Sequence, residues 1–374
     1  MKSKVTASVS GGALASLIRR AIARDGGWLP FDRFMAMALY APGLGYYARG
    51  DRQFGALPSL GSDFITAPEL SPLFGRAVAR QIEQALAGSR TDEVWEFGAG
   101  TGALALQLLD ALGDAVRQYN IVDLSGLLRE KQRKTLAAHA GRVRWLDALP
   151  DRLSGVVVGN EVLDAMPVQL LHFDGLQWFE RGVTAVDDAA IDGFAWADRP
   201  TDLRPPHDAD FVPATTTEIH PQARAYIATL GERMDRGAAF FIDYGFPAAE
   251  YYFPQRTGGT LMCHRGHRAD SDPLSDVGAK DITSHVDFTG IALAGQEAGF
   301  EVLGYSTQAR FLMNCGLLDM MHGANVQTIA NVQKLLNEHE MGELFKVIGF
   351  AKNCDENFTT APIGFASGDR THTL

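Results

Sequence analysis

The sequence predicts an α/β fold built on a mostly parallel sheet, and three observations carry that expectation. From about residue 90, short apolar runs alternate with helical ones: EVWEF, ALALQLLDAL, YNIVDLS, LLREKQRKTLAAHA, RVRWL and SGVVVGNEV. This is the rhythm of βαβ units. Directly behind the first run, EFGAGTGALA sets Gly98, Gly100 and Gly102 between a strand and a helix, a turn whose backbone approaches a ligand without Cβ interference. The rhythm returns downstream: PQARAYIATLGERMDRG reads as a helix ending at Gly237, AAFFIDYG as a buried strand, FTGIALAGQEAGF as a helix and EVLGYSTQ as a strand.

Taken in order, residues 1–90 read as a helical segment with loops that contributes a wall of the site, and residues 91–165 as the first half of the sheet domain. Residues 166–215, with β-type alternation and Asp-Gly turns in LLHFDGLQWFERGVTAVDDAAIDGFAWA, read as inserted antiparallel hairpins. Residues 216–374 complete the domain, with a last helical stretch near 324–340 before a final strand in ELFKVIGFAKN. Residues 245–286, rich in Gly, Pro, His and Asp, show no evident secondary structure and read as a lid-like insertion. Ligands of open α/β sheets bind beyond the carboxyl ends of the strands. Both insertions and the N-terminal segment are expected to gather there.

Composition narrows the function classes. With 374 residues and 46% apolar content the chain can bury one large core or two modest ones. A formal charge of −11 argues against tight nucleic-acid binding, which needs a basic face. No run of about 18 uncharged apolar residues appears, and the start lacks the continuous apolar region of an export signal; the expectation is a soluble cytoplasmic protein without membrane insertion. Cys263, Cys315 and Cys354 are odd in number and far apart, which fits a reducing compartment.

The glycine turn points to a nucleoside ligand. Asp123 ends the second strand 21 residues beyond Gly102, where a carboxylate takes the two hydroxyls of a ribose. The spacing is G-x-G-x-G rather than G-x-G-x-x-G, and Glu96 lies two residues before the first glycine. That carboxylate repels a pyrophosphate and attracts an ammonium or a sulfonium, which favours S-adenosylmethionine over NAD. The plainer reading is a turn that merely permits tight strand-to-helix packing. Asp147, after the third strand, is a candidate for the adenine amino group or equally a helix cap.

A second cluster, GNEVLDAMPVQ, places Asn160, Glu161 and Asp164 at the mouth of the fourth strand. Carboxylates there are costly unless a cation meets them, and a guanidinium suits them because its planar fork contacts carboxylates bidentately. Asp164 serves equally well as a cap. Asp243 and Tyr244 end the fifth strand and are candidate substrate contacts, with a turn as the alternative.

In this order, SDFITAPELSPLFG, EFGAGTGALA, IVDLS, GNEVLDAMPVQ, IDYGFPAAEYYFPQRTGGTL and DITSHVDFTGIALAGQEAGF resemble the blocks of the MidA family, whose mitochondrial members assist complex I assembly. The match runs from about residue 28 to residue 353. The resemblance implies a class I, Rossmann-like methyltransferase fold with a mostly parallel seven-stranded sheet and helices on both faces. It implies S-adenosylmethionine as cofactor, with S-adenosylhomocysteine as product. From the mitochondrial branch it implies symmetric dimethylation of an arginine in a complex I subunit, hence a protein partner with an exposed arginine. Carried onto this chain, Gly98, Gly100 and Gly102 fill the cofactor loop, Asp123 stands where relatives have Glu or Asp, and Glu161 and Asp164 match the family's acidic block. Together with the residue reading, Thr66, Glu69, Glu96, Gly98, Ala99, Gly100, Gly102, Asp123, Leu124, Asp147 and Asn160 are expected at the cofactor. Glu161, Asp164, Asp243 and Tyr244 fall to the transfer. Two departures stand out: Ser62 where relatives carry glycine, and CHRGHRAD at 263–270 where relatives carry a CHYRHRAH-like run.

Two further signals weigh less. Cys263, His264, His267 and His285 have metal-ligand chemistry, but their spacing fits no usual pair of pairs, and no metal is expected. Tyr46, Tyr47, Tyr251 and Tyr252 can wall a channel for a side chain or simply fill a core. A non-catalytic assembly factor that retains the cofactor fold stands as the competing function.

Overall fold

A computed structural model describes residues 3–48, 66–123, 126–186, 193–266 and 268–374. The chain opens with α1 (Ser3–Arg24), the two-residue β1 (Leu29–Pro30) and α2 (Phe31–Tyr40), then α3 (Ala67–Leu70) and α4 (Pro72–Ser89). Alternation follows: β2 (Glu93–Phe97), α5 (Ala103–Leu112), β3 (Gln118–Val122), α6 (Gly126–Thr135), β4 (Val143–Leu146) and β5 (Leu153–Asn160). Next come β6 (Gln169–Phe173), β7 (Trp178–Ala185), β8 (Phe194–Pro200), β9 (Thr215–Ile219), α7 (Pro221–Arg233) and β10 (Met234–Phe246). After α8 (Ala248–Tyr251) lie β11 (Met262–Arg265), β12 (Arg268–Asp270), β13 (Asp281–Thr283) and β14 (Val286–Asp287). The chain ends with α9 (Phe288–Glu297), β15 (Glu301–Thr307), α10 (Gln308–Asn314), α11 (Leu317–Met320), α12 (Val326–Leu336), α13 (Met341–Leu344), β16 (Phe345–Lys352) and α14 (Glu356–Thr359).

The largest sheet has eight strands in the order β15-β16-β10-β5-β2-β3-β4, with β14 beside β10. From β10 to β4 every pair is parallel, and β16 runs antiparallel to both of its neighbours. The fold is thus α/β with a large, mostly parallel sheet. Strand period two explains how both faces are buried. Val94, Val156, Val158, Phe240 and Ile242 face α4, α5, α10 and α12. The intervening Trp95, Phe97, Val157, Ala239 and Phe241 face α7 and α9. Each fully buried Val, Phe or Leu contributes about 1.5–3 kcal/mol.

Gly237 does not end a helix. The last helical residue of α7 is Arg233, and β10 begins at the buried Met234, which pairs with Leu153. Gly237 lies inside the strand at φ 144°, where a Cβ would stand 1.8 Å from the Gly155 carbonyl oxygen. The glycine answers a close strand approach, not a cap.

A second, antiparallel sheet has the order β1-β7-β6-β9, with β8 paired to β7. Leu29 and Pro30 of the N-terminal segment pair with Val183 and Gly182, so residues distant in sequence share one sheet. Between this sheet and α1–α2 lies a separate core that includes Leu14, Ile18, Phe31, Phe34, Leu39, Leu170, Val183 and Phe194.

The segment 245–286 is not without secondary structure. It holds α8 and a three-stranded sheet in the order β12-β11-β13. Strands of three or four residues carry too few alternations to register in a sequence pattern. Among the described residues no helix is long and apolar enough to cross a membrane.

Candidate functional site

A cleft of about 1410 Å³ opens beyond the carboxyl ends of the parallel strands. Its floor is the turn after β2. Gly98, Gly100 and Gly102 take φ values of 64°, 52° and 84°, the left-handed region that glycine enters without cost. A Cβ on Gly98 would come within 3.1 Å of Val162, whereas one on Gly100 would meet nothing within 4 Å. Gly98, Ala99 and Gly100 line the cleft. Gly102 does not; it precedes α5 and faces Gln132 of α6.

Glu96, the penultimate residue of β2, is 2% exposed and points into the cleft. Its carboxylate accepts from the Tyr119 hydroxyl at 2.7 Å. Burial pushes its pKa up to about 8, against the Tyr119 hydrogen bond and reinforced by the charge of Asp123. Asp123, just past β3, accepts from Gln132 Nε2 at 2.9 Å, and the same amide reaches the Gly100 carbonyl at 3.1 Å. Gln132 Oε1 in turn accepts from Trp145 at 3.0 Å. The fully buried Gln132 therefore ties turn, strand end and helix together. Arg129 donates to the Asp123 and Leu146 carbonyls and pairs with Asp147 at 2.6 Å, leaving Asp147 mostly exposed at the rim. On the neighbouring wall Thr66 precedes α3, and Glu69 accepts from the Thr101 hydroxyl. Gln107 fastens that wall by bonding the Pro68 carbonyl and the Gly75 amide.

The second cluster begins where β5 ends. Glu161 adopts φ 54°, a left-handed conformation that costs a non-glycine residue about 1–3 kcal/mol and persists only where its surroundings hold it. Here the Glu161 N–H donates to the Ile242 carbonyl at 2.9 Å. The Val162, Leu163 and Asp164 amides all donate to one oxygen of Asp243, at 3.1, 2.9 and 3.2 Å. Asp243 is 1% exposed and does not line the cleft; its carboxylate is spent beneath the turn as a brace. Burial, with the charges of Asp164 and Glu161, holds its proton affinity well above the ordinary range.

Above that brace, the Tyr244 hydroxyl donates to Asp164 Oδ2. Asp164 Oδ1 is buried and has no partner among the described residues. Asn160 Nδ2 donates to Glu161 at 3.0 Å. Burial pushes Glu161 up to about 8, aided by the charge of Asp164 and opposed by the Asn160 side chain and the Ala67 amide. Burial raises Asp164 too, while the Tyr244 hydrogen bond works the other way.

Sequence reasoning did not single out Tyr40, Gln132 or Asp281. Tyr40 and Tyr47 stack at 5.5 Å, and Asp281 accepts from the Tyr47 hydroxyl. Gln132 left one signal, an uncharged polar residue at a buried position of a charged helix; Tyr40 and Asp281 left none. His264 and His285 also line the cleft, whereas Cys263 is buried within the second core. Burial lowers His285 to about 4, which leaves its ring neutral at pH 7. Among the described residues no group of three or more His, Cys, Asp or Glu is arranged to hold a metal ion. Leu124, Ser62 and His267 lie outside the described residues.

The described lining includes seven carboxylates (Glu69, Glu96, Asp123, Asp147, Glu161, Asp164 and Asp281) and neither a lysine nor an arginine. Such a cleft suits cationic ligands.

Residues 73–306 match the family model described as "Putative S-adenosyl-L-methionine-dependent methyltransferase". The chain belongs to the MidA family of S-adenosylmethionine-dependent methyltransferases. A crystal structure of a protein from Burkholderia thailandensis bound to S-adenosyl-homocysteine is 51% identical to this MidA-family chain. It superposes with a TM-score of 0.93 over 99% of this chain and 98% of the other. The mitochondrial protein arginine methyltransferase NDUFAF7 of Danio rerio is 26% identical, over 91% of this chain and 87% of the relative. The NDUFAF7 homolog of Caenorhabditis elegans is 25% identical, over 79% and 74%. The MidA-family chain is thus a methyltransferase with S-adenosylmethionine as its cofactor.

Proposed function

We infer that the chain methylates an arginine guanidinium of a partner protein. The carrying observation is the pair Glu161 and Asp164 beside the glycine turn, with one buried oxygen of Asp164 lacking a hydrogen-bond partner among the described residues. Such an oxygen costs about 1–3 kcal/mol until a donor meets it, and a guanidinium brings five N–H donors in a planar fork. The names of the 25–26% identical relatives support the same reading. A respiratory complex I subunit is the partner implied by the family resemblance.

The cofactor end fits its ligand by charge and shape. The backbone of Gly98–Gly100 leaves the floor open, Glu96 meets a positive group, and Asp123 accepts from ribose hydroxyls. Thr66, Glu69, Asn160 and Asp147 complete that wall. When bound, the cofactor supplies an electrophilic methyl group on a sulfonium.

The chain's own residues do the rest. Glu161 and Asp164 orient the fork and concentrate its charge away from the attacking nitrogen; Tyr244 holds Asp164, and Asp243 holds the turn that carries both. Transfer releases one proton from the guanidinium. Glu161, ionised once the cation lies beside it, is placed to receive it. The work is mainly alignment and exclusion of water.

Cofactor carrying a tritiated methyl group, incubated with the protein and a cell lysate, is expected to label a protein on arginine, located by mass spectrometry. Glu161→Gln should bind S-adenosylhomocysteine normally and lose transfer about a hundredfold. Label absent from every protein, as for a pure assembly factor, or undiminished transfer in Glu161→Gln, removes this reading.

A further inference from the structure

We propose that Asp281 and Tyr47 form a second, specificity-determining arm of the substrate site, which reads a guanidinium together with Glu161 and Asp164. The proposal rests on the arginine reading above and names residues outside the methyltransferase sheet that would enforce it.

Asp281 opens β13, in register with His264 of β11, and both residues line the cleft. It is 2% exposed. The Tyr47 hydroxyl donates to both of its oxygens, at 2.8 and 3.0 Å, which fixes the plane of the carboxylate. Tyr47 in turn stacks on Tyr40 at 5.5 Å, and the Tyr40 hydroxyl donates to the Ala165 carbonyl at 2.8 Å. The Ser284 amide closes the ring by donating to the Asp164 carbonyl at 3.0 Å. Hence three segments distant in sequence, the end of α2, the acidic turn and β13, are fastened around one opening. The charge of Asp281 is among the causes that raise Glu161, so the two carboxylates lie within electrostatic reach.

The arrangement discriminates by geometry. An ammonium is a compact point charge that one carboxylate can meet, whereas a guanidinium spreads five donors over a plane and gains from acceptors held on separate elements. The stacked Tyr40 and Tyr47 rings add an aromatic wall of the kind that receives a delocalised cation. A merely structural role, Asp281 stapling Tyr47 in place, leaves arginine and lysine equally affected by its loss.

The test is calorimetry on the full chain loaded with S-adenosylhomocysteine, using acetyl-Gly-Arg-Gly-amide and acetyl-Gly-Lys-Gly-amide as probes. Wild type is expected to prefer the arginine peptide by about tenfold or more. Asp281→Asn, which keeps an acceptor for Tyr47, should weaken the arginine peptide about tenfold, abolish most of the preference and leave S-adenosylhomocysteine affinity within about twofold. Tyr47→Phe should lower the preference about threefold, because the carboxylate remains but loses the hydroxyl that bonds both of its oxygens. Full preference retained in Asp281→Asn overturns the proposal, as does equal weakening of both peptides. Should that variant not fold, unchanged preference in Tyr47→Phe overturns it instead. A wild type without preference for the arginine peptide overturns the arginine reading itself, a result distinct from either.

Discussion

The two walls of the cleft are held by different means. On the cofactor wall, Glu96, Asp123 and Asn160 stand at the ends of β2, β3 and β5, adjacent strands of one parallel ladder whose register the backbone sets. On the other wall, Tyr40, Tyr47, His264 and Asp281 come from α2, the loop after it and a small three-stranded sheet. These are joined by side-chain hydrogen bonds and by the separate core around Phe34 and Leu170. A ladder fixes distances through many bonds of similar strength. A staple of a few tyrosine hydroxyls, each worth about 1 kcal/mol, fixes them with less reserve. The cofactor wall is therefore expected to be the more rigid of the two.

Two large effects on stability test this contrast, one of them in the ladder. Gly237→Ala places a Cβ 1.8 Å from the Gly155 carbonyl oxygen. It should cost about 3 kcal/mol or more and lower the melting of the whole chain; a wild-type melting temperature would disprove the close approach. Phe34→Ala, in the core behind the substrate wall, should cost about 3–5 kcal/mol. Its increased hydrogen exchange should be confined to α2, β6 and β7, with S-adenosylhomocysteine affinity within about threefold of wild type. Equal loss of cofactor affinity would show that the two walls do not separate.

Asp123→Ala should weaken S-adenosylhomocysteine about tenfold, near 1.4 kcal/mol, by removing charge-assisted bonds to the ribose. Unchanged affinity by calorimetry removes the ribose assignment. The last effect concerns pH. Glu96 and Glu161 carry pKa values raised from 4.5 to about 8 in the folded chain, so the native state binds protons more tightly than the unfolded one. Stability from these groups is fully present below about 4.5 and is lost as pH rises through about 8. Without cofactor, the melting temperature should fall across that window, and Glu96→Gln or Glu161→Gln should flatten the fall. A fall of the same size in both variants would place the titrating groups elsewhere.

Much of the cofactor wall was legible in the chain because its determinants are local. A strand of period two, three glycines in five positions and a carboxylate at the next strand end are patterns within about thirty residues, and the backbone conformation follows from residue type. Asp243 shows where such reading stops. Read as a strand end it was a candidate for substrate, but β10 continues to Phe246, and the approach of the β5 turn, with three amides converging on one oxygen, turns it into a brace. Gln132 and Asp281 likewise take their meaning from neighbours remote in sequence.

By itself, then, the sequence determined the parallel sheet, the open turn after β2 and the acidic character of the cleft, since periodicity, absent side chains and charge act over short distances. Tertiary structure alone decided that Leu29 joins the sheet of Val183, that Tyr47 meets Asp281, and which carboxylates face the cleft rather than support it. Those outcomes depend on pairing between segments about eighty residues or more apart, and no local pattern encodes which partner a buried polar atom will find.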